Sequence, residues 1–232
     1  MPWNFNNAFK RIFMPYTDYR LAFIVPYRNR EEHLRQYVLH YRRLFPSSNI
    51  YIIHQLGDGP FNRGKLINAG FLFAEGKADA FDLSDVDMLA VEGEVDYSFP
   101  NAVTHLASAA SQYGYAMPYP TYFSGHVLLT AEHMRSVNGY YNDYPGYGCE
   151  DDCFYRSFVE KGLPIERRYG RYESLPHERV VDKDAALMDM FNRNWDRFSL
   201  HPRDFSNGLS SCIFEVKAVE SCEGYMRVDV SI

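Results

Sequence analysis

An α/β fold with a mainly parallel central sheet is what this sequence predicts, and two observations lead there. Apolar runs alternate with segments of helical period, the pattern that builds strand–helix–strand units. The turns that leave those runs carry arginines and carboxylates, and ligands of parallel sheets sit beyond the carboxyl ends of the strands. Length sets the scale: 232 residues, 46% of them hydrophobic, suffice for one domain with a substantial core. Residues 1–20 read as a separate N-terminal segment and 21–232 as that domain.

The elements follow in order. RLAFIVPYR reads as a buried strand ending at Pro26. In EEHLRQYVLHYRRLF, Leu34, Tyr37, Val38, Tyr41 and Leu44 fall on one helical face. NIYIIHQ is a second strand, and RGKLINAGFLFAEG a second helix closed by Gly76. ADAFDLSDVDM runs a third strand into an acidic turn. Asn101 to Ser111 reads as a helix and YFSGHVLLT as a strand. AEHMRSVNG makes a short helix with Thr130 as N-cap and Gly139 just past its end. EDDCFYRSFVEKG is a helix stopping at Gly162, and another covers about Ala185–Phe198. SSCIFEVKAVES and GYMRVDVSI form a small C-terminal antiparallel β pair.

Bulk properties exclude some functions. A net charge of −6 opposes a nucleic-acid binder, whose footprint is basic. No apolar stretch is long enough to span a bilayer, and no signal-peptide core is present. WNFNNAFKRIFMPY sets Trp3, Phe5, Phe9, Ile12 and Phe13 beside Lys10 and Arg11. That stretch either packs on the domain or makes peripheral contact with a membrane surface. Cys149, Cys153, Cys212 and Cys222 lack CxxC spacing, so free thiols in a reducing cytoplasm are the simplest reading.

Four stretches carry chemistry. In SDVDML, Asp85 and Asp87 flank Val86 at the end of an apolar strand. Residues two apart in extended chain point the same way, so both carboxylates can face one cleft and hold a cation. A second DxD, Asp182-Lys-Asp184, lies instead in a polar segment that reads as a solvated helix face. PYRNR places Arg28 and Arg30 directly after the first strand, with planar donor forks suited to phosphate. FNRGK puts Phe61 and Arg63 at the start of the second helix, where an N-terminus attracts anions. PGYGCEDDCF crowds Glu150, Asp151 and Asp152 into a first helical turn. Taken alone, such a cluster is ordinary complementing of the helix dipole. His177, in SLPHER, becomes a candidate nitrogen ligand once a DxD is present, and the mixed set suits manganese.

Six stretches occur in one order: FIVPYRNREEHL, FNRGKLINAGF, FDLSDVDML, YFSGHVLLT, VNGYYNDYPGYGCEDDCFYRSF and NGLSSCIFEVKAVES. Together they resemble the catalytic domain of the β-1,4-galactosyltransferases, from about Leu21 to the C-terminus. The resemblance implies a GT-A fold, a UDP-sugar donor, Mn2+, inversion at the anomeric carbon and a glycan or glycolipid acceptor. It assigns Pro26, Arg28, Arg30, Phe61, Arg63, Asp85, Val86 and Asp87 to the donor, with Asp87 and His177 as metal ligands. Tyr122 matches a tyrosine that crowds the sugar's C2 substituent, which implies UDP-galactose over UDP-N-acetylgalactosamine, and Gly125 lets the backbone approach that sugar. Asp151 matches the base, which the helix N-terminus would keep ionised. Glu150, Asp152 and Tyr147 match acceptor contacts, and Tyr147 also faces the donor.

Departures from the family pattern bear on preference more than on reaction type. Tyr147 stands where the family has a tryptophan on a mobile loop. Ser174 takes the place of a methionine ligand, Gln112 that of a lysine near the phosphates, and Ser124 that of a glycine. The family's membrane helix and disulfides find no counterpart, so the expectation is a cytoplasmic enzyme. The competing readings are the same fold with UDP-N-acetylgalactosamine or another UDP-sugar, and a non-catalytic sugar-binding module.

Overall fold

A strand covered on both faces needs an unbroken apolar run, and LAFIVPY is one. In the computed structural model, which describes residues 17–176 and 184–232, it forms β1 (Leu21–Tyr27). The alternation continues with α1 (Glu31–Leu44), β2 (Asn49–Gln55), α2 (Arg63–Ala74) and β3 (Ala80–Ser84). β1 runs parallel to β2 on one side and to β3 on the other. Its residues alternate between two layers. Ala22 and Ile24 join Leu66, Ile67 and Phe71 of α2, whereas Leu21, Phe23 and Val25 join Tyr37, Tyr41 and Leu44 of α1. α2 lies flush on the sheet because Gly70 has no side chain. A Cβ there would come within 2.6 Å of both Ile24 and Ile53.

The chain then adds β4 (Met88–Ala90), β5 (Val103–His105), β6 (Ala109–Ala110), β7 (His126–Leu129), α3 (Ala131–Ser136) and α4 (Glu150–Glu160). It ends with β8 (Ile165–Arg167), β9 (Arg171–Ser174), α5 (Ala185–Leu200), β10 (Glu215–Cys222) and β11 (Tyr225–Ser231). The large sheet has the order β10-β11-β2-β1-β3-β7-β5-β8, and a small one the order β4-β9-β6. The centre is parallel, as expected; β7 is antiparallel to both β3 and β5. The C-terminal hairpin is part of the large sheet, since β11 pairs in parallel with β2.

Several local expectations are corrected. Residues 101–110 are not helical: Val103–His105 pair with β7 and β8, and Ala109–Ala110 with β9; only Ser111 of the expected helix is helical, opening a single turn to Tyr113. Cross-strand partners and burial outweigh the helix-compatible alanines there. β1 extends one residue past Pro26, because Tyr27 still pairs with His54. α3 has Thr130 as its N-cap, but its first left-handed residue is Asn138 (φ 58°), with Gly139 (φ 68°) next. Asp184 is no solvated mid-helix acid; it caps α5, accepting from the amides of Ala186 and Leu187. Asp182 and the N-terminal stretch WNFNNAFKRIFMPY lie outside the described residues.

A buried polar layer backs the end of β3. His126 Nδ1 lies 2.8 Å from Asp82 Oδ2, and Tyr97 donates to the same oxygen at 2.8 Å. Tyr41 donates to the Met88 carbonyl at 3.1 Å and faces His126 Nε2 at 3.1 Å. Tyr37 donates to Ser84 Oγ at 2.8 Å. This layer grips both ends of the turn between β3 and β4, which carries Asp85, Val86 and Asp87.

Candidate active site

The first wall of the site is the turn after β1. Arg28 donates to the carbonyl of Gly59 at 2.6 Å, and its guanidinium lies 5.5 Å from the centre of the Phe61 ring. Arg30 lies 3.6 Å from the Asp87 carboxylate. Pro26 itself is buried in the strand, opposite Ile53. Arg28 and Phe61 are thus brought together and Arg30 faces Asp87, while Pro26 contributes the fixed strand end behind them.

Arg63, in the first turn of α2, ties the second wall to the third. Its Nε donates to Asp85 at 2.6 Å and its Nη1 to Asp151 at 2.5 Å. Burial works against the guanidinium's charge, but Asp151 first and Asp85 next outweigh it and hold its pKa well above the ordinary value. The Asp85 amide donates to the Gly125 carbonyl at 2.9 Å. Gly125 has φ +90°, and a Cβ there would meet Met88 Sδ at 2.7 Å, so the glycine is required by packing as well as by conformation. Val86 is buried between the two aspartates.

Asp87 sits where the small sheet meets the rim. The Leu175 amide donates to its carbonyl at 2.7 Å, and Ser174 lies opposite Met88 in the β4–β9 register. His33 Nε2 approaches the Pro176 carbonyl at 3.3 Å. The strand leading to position 177 therefore runs alongside Asp87, although His177 itself lies outside the described residues. Ser174 Oγ is buried and has no hydrogen-bond partner among the described residues, an oxygen left over on the strand opposite Met88. Among the described residues no group of three or more acids, histidines or cysteines is arranged so that it could hold a metal ion. One carboxylate, one orphaned hydroxyl and the approach to a histidine are what this corner offers, and that donor chemistry fits manganese.

The carboxylates of α4 form the third wall. Cys149 precedes the helix in a left-handed conformation, φ 72°, and makes no side-chain cap. Asp151 accepts from Arg63 and, at 3.0 Å, from the Tyr140 hydroxyl; Asp152 accepts from the Tyr119 hydroxyl at 3.0 Å. Burial raises the pKa of Asp151, with Arg63 opposing. Burial and then Asp151 push Glu150 up to about 8, and burial also raises Asp152. The helix N-terminus alone does not keep Asp151 ionised, as the sequence had suggested. Desolvation dominates, and a specific arginine and a tyrosine supply the counterweight.

The loop before α4 is pinned on two sides. The Gly146 amide donates to the Phe61 carbonyl at 2.7 Å, and Asn194 of α5 donates to the carbonyls of Pro145 and Tyr147 at 3.0 and 3.1 Å. Tyr147 stays 43% exposed. Tyr122 is buried; its ring meets that of Tyr119 edge-on at 5.6 Å, and Tyr119 reaches Asp152. Ser124 offers its carbonyl to His105 Nε2 at 2.9 Å, and Gln112 lies on the one-turn helix Ser111–Tyr113.

Sequence reasoning missed Tyr119, Tyr140, Asn68 and Asn194. Asn68 accepts from the Tyr140 amide and donates to the Tyr140 carbonyl and to Asn142, fastening the segment that leads to the loop. A polar residue in the apolar helix LINAGF was the visible signal for it. Nothing marked Asn194, whose partners are distant backbone carbonyls.

Comparison with known proteins bears on family and fold. Residues 14–99 match a model of the N-terminal region of glycosyl transferase group 7, and residues 104–178 one described as the N-terminal domain of galactosyltransferase. Human β-1,4-galactosyltransferase 1 is 33% identical over 227 residues, 93% of this chain and 56% of its own length. β-1,4-galactosyltransferase 2 of Cricetulus griseus is 38% identical over 170 residues, 68% of this chain and 46% of its own. The chain thus spans about half the length of these relatives. The catalytic domain of Drosophila β-1,4-galactosyltransferase 7, solved with xylobiose, superposes with a TM-score of 0.74 at 25% identity, over 92% of this chain and 94% of its own. A mutant of that protein, solved with manganese, UDP-Gal and xylobiose, has the same TM-score at 24% identity. With its motifs in the family's order on the GT-A fold, the chain belongs to the β-1,4-galactosyltransferases of glycosyl transferase group 7.

Proposed function

We propose that this chain transfers galactose from UDP-galactose to a neutral sugar hydroxyl of a glycan or glycolipid, with inversion and with β-1,4 linkage. The observation that carries the reading is Arg63, which joins the first aspartate of the DxD to the helix-start carboxylate in one cluster. Donor-side and acceptor-side residues, 66 positions apart in the chain from Asp85 to Asp151, thereby share a single cation.

In a single displacement the acceptor oxygen attacks the anomeric carbon, its proton passes to Asp151, and the bond to UDP breaks with both electrons leaving on the phosphate. A carboxylate raised by burial is a stronger base than an exposed one, and Arg63 preserves its ionised fraction. Glu150, with a pKa of about 8, is protonated near neutrality and can donate to a sugar oxygen, while Asp152 accepts from a sugar hydroxyl. Asp87 and His177 would hold manganese, which when bound neutralises charge on the diphosphate leaving group. Arg28, Arg30 and Phe61 bind the nucleotide, and the buried Tyr122 limits space at the sugar's C2. The Drosophila neighbour solved with manganese, UDP-Gal and xylobiose supports donor, metal and acceptor class alike.

UDP release measured with Mn2+, each UDP-sugar and a panel of β-linked glucose, N-acetylglucosamine and xylose acceptors tests this. Turnover should favour UDP-galactose, and Tyr122→Leu should admit the N-acetylated donor. A wild type that prefers the N-acetylated donor, or an Asp151→Asn variant of undiminished rate, would falsify the assignment. No helix among the described residues is long and apolar enough to cross a membrane. The aromatic N-terminal stretch is the part that would touch one peripherally, and cosedimentation of the intact chain with anionic vesicles measures that.

A further inference from the structure

The turn after β1 sends two nearby arginines in different directions. Arg28 reaches the Gly59 carbonyl and the Phe61 ring, whereas Arg30 faces Asp87. Between them Asn29 takes the left-handed conformation, φ 52°. A residue with a side chain holds that conformation at a cost, and only where its surroundings enforce it. Here the enforcing group lies beneath the turn. The hydroxyl of the buried Tyr27 accepts from the Arg30 amide at 3.3 Å.

Tyr27 is in turn the first member of a polar row. Register sets it beside His54 of β2 and sets His54 beside Asp229 of β11, so all three stand on the face that α1 covers. The Tyr27 and His54 rings are 5.6 Å apart. His54 Nδ1 lies 2.9 Å from Asp229 Oδ1 and from Arg227 Nη2, and Arg227 Nε donates to Asp229 at 2.7 Å. Burial works against the Asp229 charge, but hydrogen bonds from Arg227 and then His54 outweigh it and hold its pKa below the ordinary value. Two residues deeper on the same face stand Val25 and Ile52, wholly buried, so packing alone calls for no polar row here.

We propose that Tyr27 and His54 are positioning residues for the nucleotide: held by Asp229 and Arg227 of the last strand, they fix the turn that aims Arg28 and Arg30. The inference rests on the donor reading above, since it takes those two arginines as nucleotide contacts. The C-terminal strand thereby sets the affinity for a uridine diphosphate by acting through Tyr27 rather than on the ligand. A nucleotide contact is made alike before and during transfer, so its loss raises the donor's KM and leaves kcat in place.

Calorimetric titration with UDP, Mn2+ present, is the direct test. Tyr27→Phe removes the hydroxyl and keeps the ring; it should weaken UDP roughly fivefold, about what one neutral hydrogen bond supplies. His54→Leu should weaken it by no more than that, and His54→Gln, which can still bond to Asp229, should restore most of the loss. Tyr27→Phe combined with His54→Leu should bind no worse than Tyr27→Phe alone, as expected of two residues acting in series. In transfer assays these variants should raise the donor's KM while kcat and the acceptor's KM stay put. UDP affinity unchanged in Tyr27→Phe, losses that add in the double variant, or a fall in kcat without a change in donor KM overturns the inference and leaves the transfer reading standing. A wild type that binds UDP with these losses yet transfers no galactose upholds the inference and sinks that reading. A wild type that binds no UDP overturns both.

Discussion

Asp82 and Asp151 are each held by a basic partner, at 2.8 Å and 2.5 Å, yet they do opposite things. Asp82 and His126 are wholly buried, ringed by the hydroxyls of Tyr97 and Tyr41, and nothing from outside reaches them. Asp151 and Arg63 are each 13% exposed, and Arg63 is shared with Asp85. The inner pair is shut off from solvent and joined through Asp82 Oδ2, while Asp82 Oδ1 is buried without a hydrogen-bond partner among the described residues. The outer one is contested, because one guanidinium serves two carboxylates. A closed network can brace a turn; a contested one can redistribute charge when a ligand arrives. The DVD turn stands between them, braced from behind and charged in front.

Removing half of the inner pair is the most damaging change. Asp82→Ala strands His126 and the Tyr97 hydroxyl in the core and should cost about 3–5 kcal/mol, seen as a lower urea midpoint. Replacing both members by apolar residues, Asp82→Val with His126→Val, should recover most of that loss. If the double variant is no more stable than the single one, the inner pair is not the closed unit described here.

At the rim the expectation reverses: stability hardly moves while activity falls. Asp151→Asn should slow transfer by about 10³-fold, within the usual range for losing a general base. Thermal unfolding should shift by only a few degrees, roughly the effect of 1 kcal/mol in a domain of this size. An unfolding midpoint that collapses along with the rate would erase the contrast between the regions.

Arg63→Lys comes next. A point charge cannot fork between Asp85 and Asp151, so kcat/KM should drop by roughly ten- to a hundredfold, on the order of one to two charged hydrogen bonds. A variant that keeps full activity would show that the bridge is incidental.

The smallest effect is in pH dependence. Glu150 binds its proton more tightly in the fold, near pH 8, than as a free carboxyl near 4.5. Its contribution to stability is therefore complete below about pH 4.5 and is lost as pH rises towards 8 and beyond. Glu150→Gln should flatten the decline of the melting temperature between pH 5 and 9, leaving the variant the more stable at the upper end. A wild type whose melting temperature is level over that range would refute the raised proton affinity.

Much of this was legible in the chain. The strand β1 announced itself by composition, and Asp85 and Asp87 by their position at the end of an apolar run. Arg63 was singled out by its place at a helix start, although that position said nothing of its two partners. What stayed hidden was long-range. His105 looked helical because it lies in a stretch that also holds Ala102, Ala107, Ala109 and Ala110, and only pairing with β7 and β8 made it a strand residue. Asp82, inside an apolar strand, is explained by His126, 44 positions away. Tyr140 stood within a quoted motif as a spacer and Tyr119 outside every one, since a hydroxyl's partner cannot be inferred without the fold that supplies it.

The pairing of β11 with β2 has a further consequence for how the protein is made. Tyr51 waits for Met226, so the 174 residues between them must leave the ribosome before that neighbour is available. Until then β2 presents an open flank of unsatisfied amides and carbonyls, which invites intermolecular stacking. Synthesis of this chain should therefore be most vulnerable to aggregation before β11 emerges, when β1, β2 and β3 can already pair and the covering strand has yet to follow.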